Sequence, residues 1–80
     1  MLKVACIPAY NVENMIYDVV TRSKTVVDMV IVCDDGSVDD TIKQASKAGA
    51  VVISHEKNLG KGAALKSLFN YCLKINSISI

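Results

Sequence analysis

"DMVIVCDDGSVDDTIKQASKAGAVVIS" fills residues 28–54, and the order of its apolar runs sets the class of fold. "DMVIVCD" (28–34) is a continuous run rich in β-branched residues. A run that does not alternate suits a strand covered on both faces, as in a parallel sheet. Val38, Thr41, Ile42, Ala45 and Ala48 then recur at helical spacing, and Gly49 stands where a left-handed residue ends a helix. "AVVIS" (50–54) is a second strand-like run. Strand, helix and strand in this order make a crossover unit.

Working outward, the same alternation continues. "LKVACIP" (2–8) is a strand-like run stopped by the only proline. Val12, Met15, Ile16, Val19 and Val20 mark one helix face behind Asn11, a residue type suited to an N-cap. After the "NLGKG" turn (58–62), Leu65, Leu68, Phe69, Cys72 and Leu73 mark a third helix, and "SISI" (77–80) reads as the start of a fourth strand. The predicted order is βαβαβαβ: an α/β fold with a doubly wound, mainly parallel sheet. Such sheets bind ligands outside the carboxyl ends of their strands, where the strand order reverses. Those ends are Pro8-Ala9-Tyr10, Asp34-Asp35-Gly36 and Ser54-His55.

Eighty residues allow one domain at most, and a 51% hydrophobic composition supplies material for its core. A net charge of +1 with scattered Lys and Arg argues against nucleic-acid binding. The apolar runs are too short to span a bilayer, and Pro8 and Asn11 interrupt any signal-peptide pattern. Three cysteines at unrelated spacings match no metal motif, which makes a reducing cytoplasmic setting the simplest expectation.

"VCDDGSVDD" (32–40) raises the question of chemistry. Ser37 before the second helix, with Asp40 three residues on, reads as a capping box, and Asp39 and Asp40 suit a first helical turn. Asp34 and Asp35 end a buried strand, a costly position for carboxylates without donors. Consecutive strand side chains point to opposite faces, so convergence on one metal ion is disfavoured. Both caps in solvent is one reading. One carboxylate turned inward, with the other facing a ligand N–H, is the other, and pattern alone leaves them level.

"NLGKGAAL" (58–65) lacks the first Gly and the Ser/Thr of a P-loop, and also the third Gly of a dinucleotide fingerprint. It remains a glycine-rich turn opening a helix, with Lys61 able to meet an anion there. His55 reads as a surface or loop-packing residue. With one His, no Ser/His/Asp nucleophile set is expected.

Taken as an ordered set, "IPAYNVE", "VIVCDDGSVDDT" and "GAVVISHEKNLGKGAAL" resemble the N-terminal half of family-2 glycosyltransferases, especially the polyprenyl-phosphate mannosyl- and glucosyltransferases. The resemblance implies a GT-A fold, a UDP- or GDP-sugar donor, and a divalent cation, Mg or Mn, in the full-length enzyme. It implies that Pro8, Ala9 and Tyr10 pack on the donor base and that Asp35 accepts its N–H. It implies that Asp34 shapes the loop, Glu13 addresses the ribose, and Lys61 lies near the phosphates. The family's D-x-D metal motif follows a fourth strand, and this sequence contains no D-x-D. Residues 1–80 are therefore expected to be a partial domain, the nucleotide-sugar-binding half of such an enzyme, without turnover, a bound metal or a membrane segment of its own. The alternative is a non-catalytic nucleotide-binding module, or one that self-associates as a homo-oligomer through its C-terminal edge strand. A full-length enzyme could work at the cytoplasmic membrane face.

Overall fold

The computed structural model describes residues 2–76. The elements alternate as β1 (Val4–Ala9), α1 (Ile16–Ser23), β2 (Met29–Asp34), α2 (Thr41–Lys47), β3 (Val51–Ser54) and α3 (Lys61–Asn76). The strands form one parallel sheet in the order β1-β2-β3. The expected fourth strand at 77–80, and the edge contact proposed through it, lie outside the described residues.

β2 is central and carries both cores. Its alternation sends Val30 and Val32 to one face, where they meet Ile16 and Val20 of α1 and Ala45 and Ala48 at α2. Ile31 and Cys33 point the other way, onto Ala64 and Leu68 of α3. Both faces are thus covered, which is why this run is continuously apolar. α1 and α2 share one layer, whereas α3 crosses to the opposite layer and packs on β2 and β1. The winding reverses after β3, and this brings the start of α3 beside the carboxyl ends of β1 and β2. No helix among the described residues is long and apolar enough to cross a membrane.

Three expectations need correction. α1 begins at Ile16 rather than after Asn11. Asn11 adopts φ 51°, a left-handed conformation that asparagine tolerates, and its Oδ1 accepts the Val38 N–H at 3.0 Å. α2 begins at Thr41, so Asp39 and Asp40 precede its first turn and Ser37 caps nothing there. On α3, Leu68 is buried, but Leu65, Phe69 and Leu73 are exposed, and Ala64 takes the core position instead. The helix lies close enough over Ile31 and Cys33 that a small residue fits the contact.

Candidate nucleotide-binding site

The loops at the carboxyl edge are built by carboxylates accepting backbone N–H groups. Asp34 ends β2 fully buried, and its two oxygens take the Ser37 N–H at 2.9 Å and the Ser37 hydroxyl at 2.5 Å. This answers the cost of burying it: the carboxylate folds the 35–37 turn around itself. Gly36 makes that turn at φ 77°, and a Cβ there would collide with the backbone of Lys57 and Asn58. Glycine is needed here twice, for its conformation and for the close approach of the 55–60 loop.

Asp35 turns toward that loop. One oxygen accepts from His55 Nδ1 at 2.8 Å and from the Leu59 N–H at 2.9 Å; the other accepts from the Gly60 N–H at 2.8 Å. The His55 bond, then the Leu59 and Gly60 amides, hold the Asp35 carboxyl below its ordinary pKa, against the opposing effect of burial. An ionised Asp35 can only accept, so Nδ1 of His55 is the donor to it, and Nε2 on the other side of the ring is hydrogen-bonded with the Ser67 hydroxyl, 2.8 Å away. Asp35, His55 and Ser67 thus form a linked chain, which the single-histidine reading did not foresee. Its geometry resembles a nucleophile triad, but Ser67 sits inside α3, where backbone N–H groups are spent on helical bonds and none is left for an oxyanion. The chain's evident work is to tie the 55–60 loop and α3 to the end of β2.

The other pair of acids faces the first loop. Asp39 Oδ1 accepts from the N–H and hydroxyl of Thr41, and Oδ2 from the Glu13 N–H at 3.2 Å. Burial opposes ionisation of Asp39, and these donors outweigh it, so its pKa is lowered. Glu13 returns the contact by accepting the Asp40 N–H at 3.0 Å. The Asn11 N–H donates to Ser37 Oγ at 2.8 Å and the Val12 N–H to Thr41 Oγ1 at 2.9 Å. The first and second βα loops are thereby sewn together.

Between the end of β1 and the start of α3 lies an open cleft of about 420 Å³, lined by Pro8, Ala9, Tyr10, Asp35, Lys61 and Ala64. That volume is within the range of small-ligand sites, roughly 300–1,000 Å³. Five of the seven residues singled out from sequence meet there. Asp34 and Glu13 do not line it: the first is sealed behind Ser37 and the second is bound at the start of α2. Ala64 was missed, and only its place one turn after Lys61 in "GKGAAL" could have suggested it. The cleft has an apolar wall from β1, one carboxylate, and one ammonium beside the N-terminus of α3, whose first amides lack intrahelical partners. Such a set suits a ligand with a flat ring at one end and an anion at the other. Among the described residues, no group of three or more His, Cys, Asp or Glu side chains could hold a metal ion.

Residues 4–74 match the model of glycosyl transferase family 2, and the chain belongs to that family. Its parallel sheet and flanking helices accordingly match the nucleotide-binding half of a GT-A fold. The chain is similar to the uncharacterized proteins MJ1222 and MJ0544 of Methanocaldococcus jannaschii. It is 40% identical to MJ1222 over 74% of this chain and 25% of that protein. With MJ0544 the identity is 38%, over 91% of this chain and 34% of that protein. Among solved structures it resembles glucosyl-3-phosphoglycerate synthase of Mycobacterium tuberculosis, with 38% identity and a TM-score of 0.68 over 81% of this chain and 28% of that one. The same enzyme has been solved with Mg2+ and uridine diphosphate (TM-score 0.66, 38% identity, 80% and 27% covered). The chain therefore spans about a quarter to a third of the length of the proteins it matches.

Proposed function

We propose that this chain forms the donor-nucleotide site of a glycosyltransferase, and that the cleft takes the nucleoside diphosphate part of a nucleotide sugar. The observation that carries this is the meeting of Pro8, Ala9, Tyr10, Asp35 and Lys61 around one cleft. Tyr10 is about half exposed and offers its ring to a base, with Pro8 and Ala9 as the apolar floor. Asp35 has four acceptor positions and spends three on the loop, which leaves one on the oxygen that binds Gly60. That position accepts the ring N–H of a uracil or a guanine. Lys61 and the first amides of α3 meet the diphosphate. Asp34 and Glu13 act as framework here, holding the loops that present the others.

Uridine diphosphate is favoured, because the mycobacterial enzyme that this chain resembles is solved with it. The overall reaction would be transfer of the sugar to an acceptor hydroxyl or phosphate; polyprenyl phosphate is one such acceptor. A divalent cation would neutralise the leaving diphosphate. The described residues do not fit one, since no three His, Cys, Asp or Glu side chains among them could hold a metal ion.

Titration of the 15N-labelled chain with uridine, guanosine and adenosine diphosphates tests this reading. Resonances of Tyr10, Asp35 and Lys61 should shift with uridine diphosphate, and Asp35→Asn should weaken binding by about tenfold or more, as loss of a charge-assisted bond does. No shift at millimolar uridine or guanosine diphosphate overturns it.

A further inference from the structure

The three cysteines of the chain do not share one environment. Cys33 is fully buried on β2, 3.8 Å from His55 Nε2. Cys6 is exposed on β1, and its Sγ lies 3.3 Å from Sγ of Cys72, which is partly buried on α3. The residues are 66 positions apart, so this approach is a product of the fold and not of local sequence. A disulfide has S–S near 2.05 Å, so the two sulfurs need close by only about 1.2 Å to bond. Both elements they sit on also wall the cleft, β1 through Pro8 and Ala9 and α3 through Lys61 and Ala64.

We propose that Cys6 and Cys72 are a paired thiol site at which a low-molecular-weight disulfide, such as oxidised glutathione, forms an intramolecular disulfide that staples α3 to β1. The first step is attack by the Cys72 thiolate on one sulfur of the oxidant, which breaks the oxidant's S–S bond and releases one thiolate. Cys6 then loses its proton and attacks the Cys72 sulfur of the mixed disulfide, releasing the second. Two S–H bonds are lost and one S–S bond is made, while the oxidant is reduced to two thiols. Burial of its sulfur, the hydrogen bond to Cys72 and the charge of Cys72 push the Cys6 thiol up to about 11, which suits Cys6 to the second step. Cys33 stays reduced, enclosed by the sheet and α3, with its pKa raised by burial and by Asp35 and Asp34.

The site stands apart from the nucleotide reading and is tested without ligand. The purified chain is equilibrated in glutathione buffers from reducing to oxidising, quenched in acid, alkylated and mapped by mass spectrometry. The expected product is a monomer lighter by two hydrogen atoms, with the Cys6 and Cys72 peptides joined and Cys33 alkylated. Closing so long a loop should raise the thermal midpoint by about 10 °C or more, reversibly with dithiothreitol. Cys6→Ser and Cys72→Ser should each block the link and the rise. The map of the unaltered chain decides the matter even if a variant folds poorly. Three alkylated thiols after the most oxidising buffer overturn the proposal. So do stable glutathione adducts on both cysteines, a link to Cys33, or a link between chains. A cross-linked chain with an unchanged midpoint overturns the staple.

Discussion

The two acidic pairs of "VCDDGSVDD" share one loop and do different work. Asp35 looks toward the 55–60 loop and the cleft, and every donor to its carboxylate lies in the segment between β3 and α3. Asp39, with Asn11, Glu13, Ser37 and Thr41, looks toward the first loop, where five hydrogen bonds join two segments whose bonded residues do not line the cleft. Similar chemistry, carboxylates and hydroxyls taking backbone N–H groups, gives a cleft wall in one place and a brace in the other. What separates them is direction: the sharp turn at Gly36 sends the chain from one side to the other. A carboxylate near a cleft is therefore assigned by where its donors lie, and counting acids in a motif does not do it.

Gly36 joins the two regions, so its substitution should produce the largest effect. Alanine there meets a positive φ and the backbone of Lys57 and Asn58 together. We expect Gly36→Ala to cost about 3 kcal/mol or more in urea unfolding, since neither the strain nor the collision can relax alone. A loss under about 1 kcal/mol would mean that the 55–60 loop moves away freely, and the wall around Asp35 would then be soft.

Asp35→Asn against Asp39→Asn separates the regions next. An amide at Asp35 must point its NH2 either at the Leu59 N–H and His55 or at the Gly60 N–H, so a donor faces a donor in either orientation. Both thermal stability and nucleotide affinity should fall. An amide at Asp39 keeps an oxygen for Thr41, as asparagine does at helix starts, and misplaces only the contact with the Glu13 N–H. Its thermal midpoint should fall less, with affinity unchanged. Acid should act on both regions. The folded-state pKa of each carboxyl is depressed, so its contribution is full above the ordinary carboxylate value of about 3.9 and is lost as pH falls through the lower folded value. The stability of the unaltered chain, followed by circular dichroism, should decline below about pH 4, and less steeply in either asparagine variant. An Asp39→Asn chain that binds nucleotide tenfold more weakly would erase the distinction.

Much of this arrangement can be read in the residues, and the exceptions have identifiable causes. β2 is plain because a strand buried on both faces leaves an unbroken run, and Gly49 is plain because its φ of 99° is where glycine is at ease. α3 misleads because apolar residues lie on several of its sides. Leu65, Phe69 and Leu73 make as good a stripe as Ala64, Leu68 and Cys72, and only close packing on Ile31 and Cys33 selects the smaller one. Asn11 and Ser37 mislead because both have cap-forming side chains that answer to distant partners: Asn11 Oδ1 accepts the Val38 N–H, and Ser37 Oγ accepts the Asn11 N–H. Gathering Pro8, Asp35 and Lys61 at one edge needed only the strand order. The link from Asp35 through His55 to Ser67 needed the lie of α3 across the sheet, which spacing does not disclose.

The smallest expected effect tests how far the cleft-facing region extends. Ser67 meets His55 on its far side from Asp35, and its hydroxyl is the last member of the chain. Asp35 takes the Leu59 and Gly60 amides directly, without help from Ser67. If those two bonds hold the loop, Ser67→Ala removes only the hydroxyl that fixes the far nitrogen of the ring. Stability should then fall by less than about 1 kcal/mol, near the net worth of one neutral hydrogen bond. Nucleotide affinity should change less than twofold, because neither the free acceptor position on Asp35 nor Lys61 depends on it. A tenfold loss of affinity with stability unchanged would say otherwise. The imidazole would then be the part that aims Asp35, and the cleft-facing region would reach two turns into α3.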